Sequence, residues 1–101
     1  MARLSVREYE HISAVARGIV PVGEEPAVNQ QVMTITGTSQ QSAAFGPRTR
    51  FVRIHSDVAC CIDFGTNPTA IQGSCEMAAN QTEYFGVVNA NSIKVAVIAA
   101  A

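Results

Sequence analysis

Phe51-Val52-Arg53-Ile54-His55-Ser56-Asp57-Val58-Ala59-Cys60-Cys61-Ile62-Asp63-Phe64-Gly65 is the stretch that decides the fold class of this chain. Val52 and Ile54 alternate with Arg53 and His55. Beyond Asp57, Val58, Cys60, Ile62 and Phe64 alternate with Ala59, Cys61 and Asp63. A period of two sends one set of side chains to a core and the other to water, which is how a half-buried strand reads. The two runs follow each other so closely that no helix fits between them. Asp57 marks the turn, where its carboxylate can accept from backbone amides ahead of it.

Working outward, the same pattern recurs. Downstream, Gly65-Thr66-Asn67-Pro68 breaks the second run, and Pro68 biases Asn67 toward extended geometry. Ala70-Ile71 and Glu76-Met77 suggest a further strand across Gly73. Asn80-Gln81 turns into a strand over residues 82–88, Asn89-Ala90-Asn91 reads as a hairpin turn, and residues 92–98 close the sheet. Upstream, Leu4, Val6 and Glu8 share one side of a first strand. Residues 12–19 fit a strand or a short helix equally. Residues 21–26 read as a loop, since two prolines and a glycine remove donors and fix turns. Residues 29–36 read as a strand with Val32 and Thr34 on one face and Met33 and Ile35 on the other. Residues 37–42 form a polar exposed loop, and Gly46-Pro47 ends the next short segment.

Seven or eight short antiparallel strands, with turn signals about every ten residues, predict an all-β fold of the β-sandwich type, jelly-roll-like. Residues 1–101 make one domain. Leu4 and Val6 are apolar yet precede the clear sheet, so residues 1–10 are expected to form an N-terminal arm reaching a neighbour.

Composition directs attention to surfaces. Hydrophobic residues make up 48% of the chain and charged residues 15%, against a usual charged share of about 25%. Ala, Gln, Asn, Ser and Thr fill the difference, which suits extensive contact with other protein. The formal net charge is −1, so no basic footprint for nucleic acid and no polybasic run for anionic lipid is present. The first residues lack the apolar core of a secretion signal, and the apolar run at residues 95–101 is too short to span a bilayer.

Catalytic equipment is sparse. His11 and His55 are the two histidines, with no HxH or HxxxH spacing, whereas a metal site needs three or four converging ligands. Asp57 and Asp63 lie ~20 Å apart along an extended strand, too far to share acid–base work. No GxSxG elbow and no glycine-rich phosphate loop occurs. No catalytic residue, metal or cofactor is therefore expected. The three cysteines include adjacent Cys60 and Cys61, which should point to opposite sheet faces. A buried thiol at Cys60 with two further free thiols is the simplest reading; a bridge from Cys75 to either of the pair is the alternative. Arg48, Arg50 and Arg53 form the main basic cluster and Glu24-Glu25 an acidic loop pair. Arg50 and Arg53 face opposite ways on an extended strand, so they do not form one patch, but each can anchor an interface.

Residues 51–70, with Glu83-Tyr84-Phe85-Gly86-Val87 and Ile93-Lys94-Val95-Ala96-Val97-Ile98, carry a resemblance. An arginine strand, a strand running into Phe64-Gly65-Thr66-Asn67-Pro68, a Glu83-Tyr84-Phe85 strand and a final apolar strand are similar to those of small virion proteins of tailed bacteriophages, which include capsid decoration, or cement, proteins. The resemblance covers roughly the C-terminal half. It implies a β-sandwich or jelly-roll on the outer capsid surface of the virion, a trimer or dimer with the homotrimer ahead of the dimer, bound to the major capsid protein and clamping its subunits, with no catalytic residues. Leu4, Val6, Glu24, Glu25, Arg48, Arg50 and Arg53 are then the expected interface residues. A receptor- or glycan-binding fibre or tail module is the alternative, and a small cupin-like metal enzyme a third.

Overall fold

The structure is a computed structural model that describes residues 2–15, 18–23, 26–87 and 92–100. It is an all-β protein. Its strands are β1 (Arg3–Tyr9), β2 (Ile12–Val15), β3 (Gly18–Gly23), β4 (Asn29–Thr34), β5 (Gln40–Gln41), β6 (Phe51–Ser56), β7 (Cys60–Gly65), β8 (Cys75–Met77), β9 (Gln81–Gly86) and β10 (Lys94–Ala99). One sheet has the order β4-β1-β6-β9 and a second the order β5-β10-β7-β8, while β2 and β3 pair, among the described residues, only with each other. All the pairings are antiparallel.

The pairings are nested. β7 pairs with β8, β6 with β9 and β5 with β10, as in one long antiparallel ribbon folded at the β7–β8 end. The outermost strand, β4, pairs with β1, so its partner is supplied from the front of the chain. Wrapping this ribbon brings β1 beside β6 and β10 beside β7. That is the jelly-roll way of making two sheets from one ribbon.

The alternation that defines the strands also builds the core. Leu4 and Val6 of β1, Met33 of β4, Val52 and Ile54 of β6, Cys60 and Ile62 of β7, and Val95 and Val97 of β10 interdigitate between the sheets, with Phe45 and Met77 at the margins. Residues on the two inner faces of a sandwich alternate with outward ones, so each strand's period of two maps onto inside and outside.

Several sequence expectations change. Residues 1–10 are not an arm. β1 lies between β4 and β6, and Leu4 and Val6 are fully buried. They precede the obvious sheet in sequence but pair with strands far downstream, which a local pattern does not reveal. Residues 12–15 and 18–23 form a β-ribbon and no helix, and Pro21 falls inside β3 rather than in a loop. A two-stranded ribbon has two edges, and edge strands tolerate proline. The expected loop at residues 37–42 holds the short strand β5, and Ser42 is buried. Residues 66–74 contain no strand. Asp57 Oδ1 accepts from the backbone N–H of Arg3 at 2.8 Å, so its carboxylate serves the start of β1 and not amides ahead of it. The expected hairpin turn at residues 89–91 lies outside the described residues. The strands on either side of it, β9 and β10, belong to different sheets, so they do not form a hairpin.

Candidate functional site

A sandwich has two outer faces, and this chain treats them differently. Across the β5-β10-β7-β8 sheet runs the segment 66–74. Gln41 Nε2 donates to Asn67 Oδ1 (2.9 Å) and to the Pro68 carbonyl (2.8 Å). The Ala70 N–H donates to Ser39 Oγ (2.9 Å), and Gln72 Nε2 donates to the Ala99 carbonyl (2.8 Å). Cys61 and Ala96 occupy outward positions of this sheet, yet both are fully buried. The chain's own segment therefore covers the middle of this face, while the outward Gln41, Asp63 and Glu76 are exposed, and Cys61 Sγ lies 3.9 Å from Gln72 Oε1.

The other outer face, that of β4-β1-β6-β9, is open at Val32 and Tyr84 and closed at Tyr9, which is buried. Its cross-strand rows follow from the register. Gln30, Arg7, Arg53 and Tyr84 form one row, and Val32, Ser5, His55 and Thr82 the next. Tyr9 and Phe51 are opposite each other and stack at 5.4 Å, and Phe51 meets Tyr84 at 6.0 Å. Val32 is 61% exposed and Tyr84 38%. The outward positions of the four strands carry Arg3, Arg7 and Arg53 and no carboxylate. Three of the chain's seven Lys and Arg residues thus lie on this face.

Arg7 is held in place. Its Nε donates to the Tyr9 hydroxyl at 3.2 Å and its Nη1 to Gln30 Oε1 at 2.9 Å. The side chain of Arg53, directly across the β1–β6 ladder, makes no hydrogen bond or ion pair with the described residues. His55 Nδ1 lies 2.7 Å from Thr82 Oγ1. A shallow cleft of about 250 Å³ opens between β4 and β6, with Ser5, Arg7, Gln30, Val32 and Arg53 on its walls.

No family model, curated protein or solved structure matches this chain.

Of the residues expected at an interface, Leu4 and Val6 belong to the core. Arg48 is exposed and donates from Nη2 (2.6 Å) and Nε (3.0 Å) to Glu10 Oε1. That hydrogen bond holds the Glu10 carboxyl below the usual glutamate range, against the opposing effect of desolvation. Arg50 is exposed just before β6, where its backbone N–H donates to the Tyr9 carbonyl at 2.8 Å. Arg53 alone of the Arg48, Arg50 and Arg53 cluster faces outward on the open sheet. Glu24 and Glu25 lie outside the described residues. Arg3, Arg7, Tyr9, Phe51 and Tyr84 were missed as a group. The outward series Arg3, Ser5, Arg7, Tyr9 was the available signal, but only the β1–β6 pairing brings it beside Phe51, Arg53 and His55.

The cysteines are free. Cys60 and Cys61 are buried on opposite sides of their sheet and Cys75 is exposed on β8. Burial pushes the Cys60 thiol up, and its hydrogen bond to Ser56 Oγ at 3.4 Å opposes that only in part. Among the described residues no three His, Cys, Asp or Glu side chains converge where a metal ion could sit. The open face carries groups suited to binding. Guanidinium groups offer fixed forks to oxyanions, and Tyr84 and Val32 offer apolar surface.

Proposed function

We propose that this protein is a non-enzymatic structural subunit of a tailed-phage virion that decorates the outer capsid by docking on the major capsid protein. The observation that carries the reading is the asymmetry of the sandwich. One outer face is covered over Cys61 and Ala96 by the chain's own segment 66–74, and the other presents Val32, Tyr84 and three arginines to a partner. The similarity of residues 51–70, 83–87 and 93–98 to small tailed-phage virion proteins supplies the identity of that partner. A homotrimer suits such a role, because several weak contacts on one shell add up through effective concentration. It also gives the free edge of β9 a neighbour.

The test is co-sedimentation of the purified protein with empty capsid shells, alongside its mass by light scattering. A discrete trimer that pellets with shells supports the role. A monomer that stays in the supernatant removes it.

A second reading, a receptor- or glycan-binding fibre or tail module, is favoured by one observation. Tyr84 is exposed beside Phe51 and Arg53 on the open face, and sugars stack on aromatic rings next to polar groups. A glycan screen with binding that is lost in Tyr84→Ala selects this reading over the first.

A further inference from the structure

Segment 66–74 is held over Cys61 and Ala96 by different means from those that hold the sheets. β7 and β10 are joined by a continuous backbone ladder, whereas the segment contains no strand. Side chains tie it down: Gln41 donates to Asn67 and Pro68, Ser39 accepts from Ala70, and Gln72 donates to Ala99. A hydrogen bond exchanged against water is worth little net, and the bonds to Asn67 and from Gln72 are exposed. The apolar contact is small as well. Pro68 and Ala70 are the buried residues of the segment, and Cys61 and Ala96 beneath it are also small. Stabilisation by burial scales with the apolar area removed from water. Closing the segment therefore gains far less than packing Leu4, Ile54, Ile62 and Val97 between the sheets. The tip is self-contained. Gly73, at φ 97°, completes a turn in which the Ser74 N–H donates to the Ile71 carbonyl at 3.0 Å and the Ile71 N–H to Ser74 Oγ at 3.1 Å. Those bonds survive when the segment lifts in one piece.

We propose that residues 66–74 form a strap that opens as a unit while both sheets stay folded, uncovering Cys61 and Ala96. Segments with few buried apolar contacts open locally at a lower free energy than global unfolding. This strap stands apart from the role proposed for the β4-β1-β6-β9 face. Closed, it fills the middle of the opposite face. Opened, it presents the cross-strand row Ile98, Cys61 and Glu76 and, beside it, Ala96 and Asp63, a small apolar patch with two carboxylates at its margin. The adjacent cysteines separate the two events. Cys60 points into the core, so it is uncovered by unfolding of the sandwich, while Cys61 is uncovered when the strap lifts.

The test is time-resolved labelling of the full folded chain with excess iodoacetamide, with tandem mass spectrometry to tell Cys60 from Cys61. Urea is raised in steps below the unfolding transition. The expected order is Cys75, then Cys61, then Cys60. The Cys61 rate should be nearly independent of urea, since local opening exposes little surface, and the Cys60 rate should climb with urea as global unfolding does. Gln41→Ala removes two ties from the exposed edge of β5, so it should speed Cys61 labelling about tenfold and leave Cys60 unchanged. Amide exchange in the wild type gives a second readout. The Ala70 N–H, bonded to Ser39 Oγ, should exchange faster than the Val95 N–H, bonded to the buried Ser42 Oγ. Cys60 and Cys61 labelling together with one urea dependence overturns the strap, as does Gln41→Ala speeding both cysteines alike or neither. Equal protection of Ala70 and Val95 overturns it too. Cys61 labelling as fast as Cys75 overturns it from the other side, because the segment then gives no cover.

Discussion

The carboxylate of Glu8 accepts a 2.8 Å hydrogen bond from the hydroxyl of Thr49, and both residues are buried in the sandwich. The same Glu8 oxygen accepts from the Gly46 N–H at 2.8 Å. The other oxygen accepts from Asn29 Nδ2 and Gln31 Nε2, each at 3.1 Å. A carboxylate with no hydration is costly unless its lone pairs are filled, and here four neutral donors from β4 and the 46–49 turn fill them. Gln31 also bonds the backbone of Ala43 in both directions, with its Oε1 accepting from the N–H at 3.0 Å. The cluster thereby ties the β4 edge of one sheet to the segment that leads out of β5.

Thr49→Val keeps the shape but removes one donor, so it should lower unfolding free energy by about 1–3 kcal/mol. Glu8→Gln should cost more. It sets an NH₂ group against donors that already face it, on whichever side the amide turns. Urea titrations of the two variants check the ranking, and a Glu8→Gln variant as stable as wild type contradicts it.

Leu4 fixes the place of β1. Leu4→Ala should cost about 2–5 kcal/mol, the range for emptying a packed core position, and deletion of residues 2–9 should abolish folding by removing a central strand. Circular dichroism melts check both. A truncated protein with a wild-type melting temperature would restore the view of this segment as a detachable arm.

Thiol chemistry should divide the cysteines. Cys75 is exposed, whereas Cys60 and Cys61 are buried and the Cys60 thiol is pushed up. Because the thiolate is the reactive form, a thiol reagent at pH 8 should label one cysteine quickly in the folded protein and all three after denaturation. Mass spectrometry of the labelled peptides should place the fast site at Cys75.

Glu10 should titrate below the usual glutamate range, because Arg48 favours its ionised form. A lowered folded-state pKa means the contribution to stability is present above the unfolded glutamate pKa. It is lost as pH falls through the folded one. In Arg48→Gln, side-chain NMR should show Glu10 returning toward the ordinary value. The pair is exposed on the arginine side, so salt should weaken its effect.

The strands of the second half were legible because Val52, Ile54, Cys60, Ile62, Val95 and Val97 keep a strict alternation, and every one of them is buried. The strand over residues 29–34 was legible for the same reason, with Met33 inward and Val32 outward. The β2–β3 ribbon was not, because Pro21 and Gly23 read locally as a loop, whereas an edge strand also accommodates proline. β5 is two residues long, too short to show any period. Cys61 illustrates a different limit. Its outward position was legible, but its burial depends on Gln72 and the segment 66–74 folding over it. Most of the candidate site was hidden for a topological reason. Arg7 and Arg53 become neighbours only because β1 inserts between β4 and β6, and no local pattern encodes that pairing.

The most direct test of the open face as the docking surface is co-sedimentation with empty tailed-phage capsid shells of three proteins: wild type, Arg53→Glu and Arg50→Glu. Circular dichroism first establishes that each is folded. Wild type and Arg50→Glu in the shell pellet, with Arg53→Glu left in the supernatant, is the predicted result. Equal pelleting of all three, or of none, would contradict it.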